Sequence, residues 1–200
     1  MNLTPLTLKE IYKILGWSLK SIKCNDEDLG KFFNLIESGE KNSTILRSIL
    51  KLDNKTVEIT SGLKERIEKI FQQIHCYLDG SILDIGGGDG KIAEKIASAG
   101  FSIEITDIIL QYKGHLKFFK CKFNHIPAPD FFYNTVLLLN VLHHSKNPLA
   151  LINEAVRITK KRIIVIESIA ENEIEHKITA FLDWFDNRVL VPNKIPLPFN

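Results

Sequence analysis

Cysteine is scarce in this chain: three in 200 residues, at positions 24, 76 and 121, with no C-x-x-C pair among them. An odd, scattered set of thiols argues against a disulfide framework and against a cysteine-based zinc site, and fits a reducing compartment. Long apolar runs are also lacking. None approaches the roughly 18 residues of a membrane span. The first ten residues carry Pro5 and two charges but no apolar core of signal-peptide length. The expectation is a soluble, cytoplasmic protein with no membrane span. Charge of one sign is missing as well: 26 Lys and Arg stand against 24 Asp and Glu, a net of +2 with the signs interspersed. Without a basic stripe, nucleic acid is not an expected partner. The one basic run, Lys160-Lys161-Arg162, reads as a solvated helix end whose cations complement the macrodipole. Internal repeats and low-complexity tracts are absent.

What remains is an ordinary globular composition, 44% hydrophobic and 25% charged, of a length that suits one domain with an appendage. The pattern changes near Asp79. Before it, apolar residues recur at helical spacing: Leu8, Ile11, Leu15, Leu19 and Ile22 after Thr7; Leu29, Phe32, Phe33 and Ile36 within 26–38, stopped by Gly39; a third stretch over 43–52; and Leu63, Ile67, Ile70, Phe71 and Ile74 after Ser61. These stripes predict a helical N-terminal cap over 1–78. The β-like Val57-Glu58-Ile59 after the first helices also permits a winged-helix reading.

From 79 to 200, short apolar runs alternate with helical stretches. The runs are 81–85, 102–106, 116–119, 135–139 and 162–167, and the helices are 90–98 and 148–159. This alternation predicts an α/β domain built on a doubly wound, mostly parallel sheet of about five strands. Ligands of such sheets bind beyond the carboxyl ends of the strands, near the point where strand order reverses. The residues that follow each run therefore carry the functional reading.

The first run ends in Asp84-Ile85-Gly86-Gly87-Gly88-Asp89-Gly90 and leads into a helix. Glycines at 86, 88 and 90 give G-x-G-x-G, whereas the dinucleotide pattern needs glycine at 91, where Lys91 stands. Glycines admit conformations closed to other residues and let a ligand approach the main chain, and the helix N-terminus favours a carboxylate. Asp84 and Asp89 would be awkward for a pyrophosphate but suit a cationic sulfonium and an α-ammonium group. The spacing thus points away from NAD and towards S-adenosylmethionine. The second run ends at Asp107, 23 positions after Asp84, which is the place for a ribose-binding carboxylate, with Ile108 offering an apolar face to the adenine. The fourth run is followed by Asn140-Val141-Leu142-His143-His144. Histidine is the natural general base near neutral pH, which makes His143 and His144 the catalytic candidates, although a histidine bonding a loop carbonyl would look the same in sequence.

With these residues in view, the stretch 81–168 resembles a class I S-adenosylmethionine-dependent methyltransferase of the type 11 group. Ile82 to Gly90 matches the first motif, and Ile105-Thr106-Asp107-Ile108 matches the acidic end of the second strand. Residues 126–136 resemble the "LPFPD…FDTV" segment, Val141-Leu142-His143-His144 the "VLHH" segment, and Glu154-Ala155-Val156-Arg157-Ile158 the "EA.RV" segment. The resemblance implies a Rossmann-like fold, bound S-adenosylmethionine and transfer of its methyl group to a small or medium-sized acceptor. Asp84, Gly86, Gly88 and Gly90 would line the methionine end, Asp107 would hold the ribose, Phe123 would cover the adenine, and Asn140 would lie near the reacting centre. Apolar residues of the N-terminal helices would close the mouth and select the acceptor. The chain departs from the family pattern in three places. Lys122 stands near the position of an acid, Tyr133-Asn134 replaces the "FD" pair, and nothing after the helical stretch 174–190 supplies the two further strands usual in the family. The sheet is therefore expected to be truncated or naturally short at its C-terminal side, with a fifth-strand edge able to pair with another chain. The departures define an alternative reading, a module that binds S-adenosylmethionine or its demethylated product without turnover. An NAD(P)-linked oxidoreductase, opposed by Lys91, and a nucleic-acid methyltransferase, opposed by the near-neutral charge, are the other competitors.

Overall fold

A computed structural model describes residues 10, 11, 13, 14, 25–52, 60–122 and 125–190. The expected helix around Thr7 falls almost wholly outside these residues, as do Val57-Glu58-Ile59 and Phe123. The described residues form two compact units, one drawn from 1–63 and 169–197, the other from 64–168. They are treated separately.

The second unit holds a five-stranded sheet, parallel throughout, in the order β3-β2-β1-β4-β5. The strands are β1 Ser81–Ile85, β2 Ser102–Asp107, β3 Phe118–Lys120, β4 Tyr133–Leu139 and β5 Thr159–Ile166. This is the doubly wound α/β sheet that the alternation predicted. The strands are apolar at consecutive positions because both faces are covered. Ile82, Ile103, Ile105 and Leu137 face one layer, where they pack with Ile70, Ile74, Ala93 and Ile96. Leu83, Ile85, Val136 and Leu138 face the other, against Leu151, Ala155 and Ile158. Each strand residue thus goes to the layer that its position in the pleat dictates.

Both β3 and β5 differ from the sequence expectation. β3 begins at Phe118 rather than Leu116, because the Leu116 N–H donates to the Tyr112 hydroxyl at 2.8 Å and leaves the ladder. β5 begins at Thr159, so Lys160-Lys161-Arg162 lies in the first half of a strand and not at a helix end. Two of those cations have specific partners: Lys161 pairs with Asp79, and Arg162 donates to the Tyr77 carbonyl at 3.0 Å. Among the described residues β5 pairs only with β4, and forms one edge of the sheet.

Helices of the described residues follow their caps. Asn25 accepts from the Asp28 N–H and opens α1, Asp26–Glu37; Asn42 caps α2, Ser43–Ile49. α3 is Thr60–Ile74 and α4 is Lys91–Ser98. Asn147 accepts from the Ala150 N–H, with Pro148 in the first turn of α5, Pro148–Ile158; Asn172 caps α6, Glu173–Phe185. Each cap replaces one N–H partner that a helix start otherwise lacks. A π-helical turn over Asp186–Leu190 ends the described chain.

The first unit is helical, with one apolar core: Ile11, Leu29, Phe32, Ile36, Leu46, Leu50, Phe181, Phe185 and Val189. Phe32 and Phe185 meet edge-on with ring centroids 5.5 Å apart. Arg47 donates to the Leu52 and Val189 carbonyls. The apolar residues of α6 thus share a core with the N-terminal helices, while the boundary expected at 78/79 from the change in apolar pattern puts α6 on the sheet's side of the chain. Conversely, Ile70, Ile74 and Leu78 of the expected cap pack on the sheet. No helix among the described residues is long and apolar enough to cross a membrane.

Candidate functional site

Strand order reverses between β1 and β4, so the crevice of this sheet lies beyond the carboxyl ends of β1, β2 and β4. The turn Gly86–Gly90 sits at that end of β1. Gly86 and Gly87 donate to the Thr106 carbonyl at 2.7 and 3.4 Å, which ties the turn to β2. Gly88, at φ +55°, has nothing within 4 Å of where a Cβ would lie, so the turn presents open space there. Gly90 is different. It caps α4 at φ +76°, and a Cβ would come within 2.3 Å of the Tyr112 ring. Its lack of a side chain is required by packing against the loop after β2. Tyr112 was not singled out from sequence, and a lone tyrosine in a loop gives no signal for this contact.

Asp84 is 2% exposed, and its carboxylate accepts no hydrogen bond among the described residues. It lies under Gly87, where a Cβ would sit 2.7 Å from Oδ2. Burial, followed by the neighbouring charge of Asp107, pushes its carboxyl up to about 7. Asp107 closes β2. Its Oδ2 accepts from the Gly88 N–H and its Oδ1 from the Ile109 N–H, each at 3.0 Å. Burial raises this carboxyl too; the N–H groups of Ile109, Gly88 and Ile108 and the charge of His144 work against the rise without cancelling it. These N–H groups do not use up the lone pairs of the Asp107 oxygens. Ile108 follows, half-buried. Asp89 is turned outward and pairs with Lys91 at 3.0 Å.

Asn140 follows β4 at φ +53°, a left-handed conformation that asparagine tolerates better than most residues. Its N–H donates to the Ile166 carbonyl at 2.7 Å, which fixes the chain at the end of β5. Leu142–His144 form a single 3-10 turn, and the two imidazoles lie 4.1 Å apart. His144 is near enough to Asp107 for its charge to act there. His143 instead places Nδ1 2.6 Å from Oε2 of Glu167, the residue after β5. Glu167 was read from sequence only as the end of a strand. The rule that sends attention to residues after strand ends would have found it.

The structure thus gathers Asp84, Gly86, Gly88, Asp107, Ile108, Asn140, His143 and His144 at one end of one sheet. Two of the three departures from the family pattern lie at opposite ends of the sheet. Lys122, exposed just beyond β3, lies at this end. Asn134 lies at the other. It sits at the start of β4, where its N–H and its side-chain oxygen both bond the Ser81 hydroxyl, at 3.2 and 3.1 Å. Its lost acid therefore does not face the crevice.

Comparison with known proteins adds a family. Residues 58–193 match a family described as "methyltransferase domain". No match was found among curated proteins. Solved structures with a similar fold include a protein of Pyrococcus horikoshii OT3, 17% identical over 53% of this chain and 58% of that one, with a TM-score of 0.49. A putative methyltransferase of Bacillus halodurans C-125 is 20% identical over 62% of this chain and 58% of its own, at a TM-score of 0.47. An S-adenosylmethionine-dependent methyltransferase of Methanosarcina mazei is 23% identical over 57% and 65%, at 0.46. The chain spans less than two thirds of the length of each of these structures.

Proposed function

Because the chain belongs to the methyltransferase-domain family, we propose that it binds S-adenosylmethionine at the end of β1 and β2 and transfers the methyl group to a small or medium-sized acceptor. The observation that carries this reading is Asp84, a buried carboxylate with no donor among the described residues. Such a group is costly unless a donor or a cation meets it. An α-ammonium and a sulfonium meet that need, and a pyrophosphate does not. The open space at Gly88 and the spare lone pairs of Asp107 fit the same ligand, with Asp107 accepting from the ribose hydroxyls. Ile108 would flank the adenine, and the role assigned to Phe123 falls outside the described residues.

S-adenosylmethionine supplies an electrophilic methyl group on a sulfonium, which leaves as a neutral thioether. The chain's own residues have the remaining tasks. The turn at 86–90 and Asp107 would hold the methyl donor in one orientation, and in-line placement provides most of the rate enhancement in such a displacement. Asn140, in its constrained conformation beside β1, would border the acceptor. His143 or His144 would be the base where the acceptor atom must lose a proton. Pairing of the β5 edge with another chain and a cytoplasmic location are parts of the proposal that rest on sequence.

Isothermal titration of the protein with S-adenosylmethionine and with S-adenosylhomocysteine tests the reading. Binding of both is expected, and Asp107→Ala should weaken both by about 10- to 100-fold, the loss of two charge-assisted hydrogen bonds that the remaining groups partly replace. Unchanged affinity would remove Asp107 from the ribose. Binding without methyl transfer to any acceptor would favour the non-catalytic module.

A further inference from the structure

The loop between β2 and β3 carries a polar atom that the fold leaves unmatched. Nε2 of Gln111 is buried and has no hydrogen-bond partner among the described residues. The chain on either side of it is fastened to the crevice. Two residues before it, the Ile109 N–H donates to Oδ1 of Asp107 at 3.0 Å. One residue after it, the Tyr112 ring packs beside Gly90 at the start of α4. The Tyr112 hydroxyl bonds Glu94 at 3.3 Å and accepts from the Leu116 N–H at 2.8 Å. The Cα of Gln111 lies within about 7 Å of that of Ile109, the reach of two residues. Gln111 is therefore held between Asp107 and the glycine turn. Its neighbours make the bonds that order the loop, so loop folding does not account for the amide. A buried amide hydrogen without an acceptor is costly, and such groups are uncommon in folded proteins.

We propose that Gln111 is the residue that selects the base of the cofactor, with Nε2 donating to a ring nitrogen of the adenine. The inference rests on the reading of the crevice as an S-adenosylmethionine site and adds to it the group that recognises the base. In that reading the adenine lies on Ile108, three residues before Gln111. The amino group of adenine donates, and its ring nitrogens are its acceptors. Lys122, exposed at the same end of the sheet, can likewise only donate. Both side chains thus suit the ring nitrogens rather than the amino group. The other assigned contacts do not tell one base from another. Asp107 would bind the ribose, the glycine turn would hold the methionine end, and Ile108 offers apolar surface to any purine. A buried amide discriminates, because a base that lacks the acceptor leaves it unpaired. Sites built on such a hydrogen bond reject the deficient ligand more strongly than apolar pockets do.

The test is calorimetric titration of wild type and Gln111→Met with S-adenosylhomocysteine and with its 1-deaza, 3-deaza and 7-deaza analogues. Each analogue replaces one ring nitrogen by C–H, and methionine keeps the length of the side chain without the amide. Wild type should bind one of the three analogues about 10-fold more weakly than the parent, the size of one hydrogen bond whose buried partner is left unpaired. Gln111→Met should bind the parent about 10-fold more weakly and should not distinguish it from that same analogue, since the two losses are one interaction. Thermal melting of the ligand-free proteins separates binding from folding. Gln111→Met should melt at or above the wild-type temperature, because it removes an unpaired buried amide. Equal affinity of the two proteins for the parent, or discrimination kept in Gln111→Met, would overturn the proposal and leave the amide to solvent. A lower melting temperature in Gln111→Met would overturn it as well, since the amide would then support the loop. Wild type that binds none of the four ligands would sink the S-adenosylmethionine reading and this proposal with it. Binding of the parent with no effect at Gln111 would sink this proposal alone.

Discussion

Asp84 is a residue whose usefulness and cost have one source. Its carboxyl stands at about 7 in the folded protein, against 3.8 for the ordinary group, through burial first and the Asp107 charge second. Between those two values the folded protein binds more protons than the unfolded chain, so stability falls as pH rises across that window and levels off above it. Asp84→Asn removes the effect. The ligand-free variant should unfold at a higher temperature than wild type at pH 8, with the difference closing towards pH 4; a difference independent of pH would show that Asp84 is not held in this way. A bound cation reverses the preference and favours the ionised form. S-adenosylmethionine affinity should therefore rise with pH through about 7, and binding below that value should release a proton, which calorimetry in buffers of different ionisation enthalpy detects. Asn134 makes the opposite case. Its partner is Ser81, at the amino end of β1, so Asn134→Asp should leave S-adenosylhomocysteine affinity within about threefold, the additivity expected of sites without shared partners. A larger gain would mean that the acid acts across the sheet.

At the scale of the element, the glycine turn depends on the loop that follows β2. The Tyr112 hydroxyl accepts from the Leu116 N–H at 2.8 Å and donates to Glu94 of α4 at 3.3 Å, while its ring fills the space beside Gly90. One side chain thus joins the loop after β2 to the start of α4. Gly90→Ala would bring a methyl group into the ring and place a side chain at φ +76°, for a cost of about 1–3 kcal/mol from overpacking alone. Tyr112→Phe keeps the ring and strands the Leu116 N–H, at about 1–3 kcal/mol. In urea unfolding, the pair Gly90→Ala with Tyr112→Ala should cost less than the sum of the two single changes, because the clash is absent while the backbone strain persists. Strict additivity would show that the ring does not rest on Gly90.

Over the whole molecule, the order of elements along the chain is not the order of the compact units. α6, which follows the last strand, completes a core begun by α1 and α2 some 150 residues earlier, through Phe181, Phe185 and Val189. Phe185 is fully buried against Phe32. Phe185→Ala should destabilise this core by about 3–5 kcal/mol, the usual cost of removing a buried phenyl ring. Urea unfolding followed by tryptophan fluorescence would measure it, since Trp184 packs against the same core. A change below about 1 kcal/mol, the size of a surface substitution, would show that α6 is not anchored there.

The sequence by itself determined the sheet and the turn, and pointed to the ligand class that is proposed. Alternating apolar runs require a sheet covered on both faces, G-x-G-x-G with Lys91 departs from the dinucleotide spacing, and Asp107 stands in register with that turn; all of this is local and periodic, so it survives in one dimension. The apolar pattern starts β3 two residues too early, since the Tyr112 hydroxyl takes the Leu116 N–H, and it starts β5 too late, since Lys160-Lys161-Arg162 has the composition of a helix end. Only the tertiary structure decided what Gly90 makes room for, which end of the sheet Asn134 occupies, where α6 belongs, and that Glu167 faces His143. Each of these is a contact between residues far apart in the chain, and neither propensity nor spacing encodes such a contact. It arises when strands pair in register and bring the ends of β4 and β5 side by side.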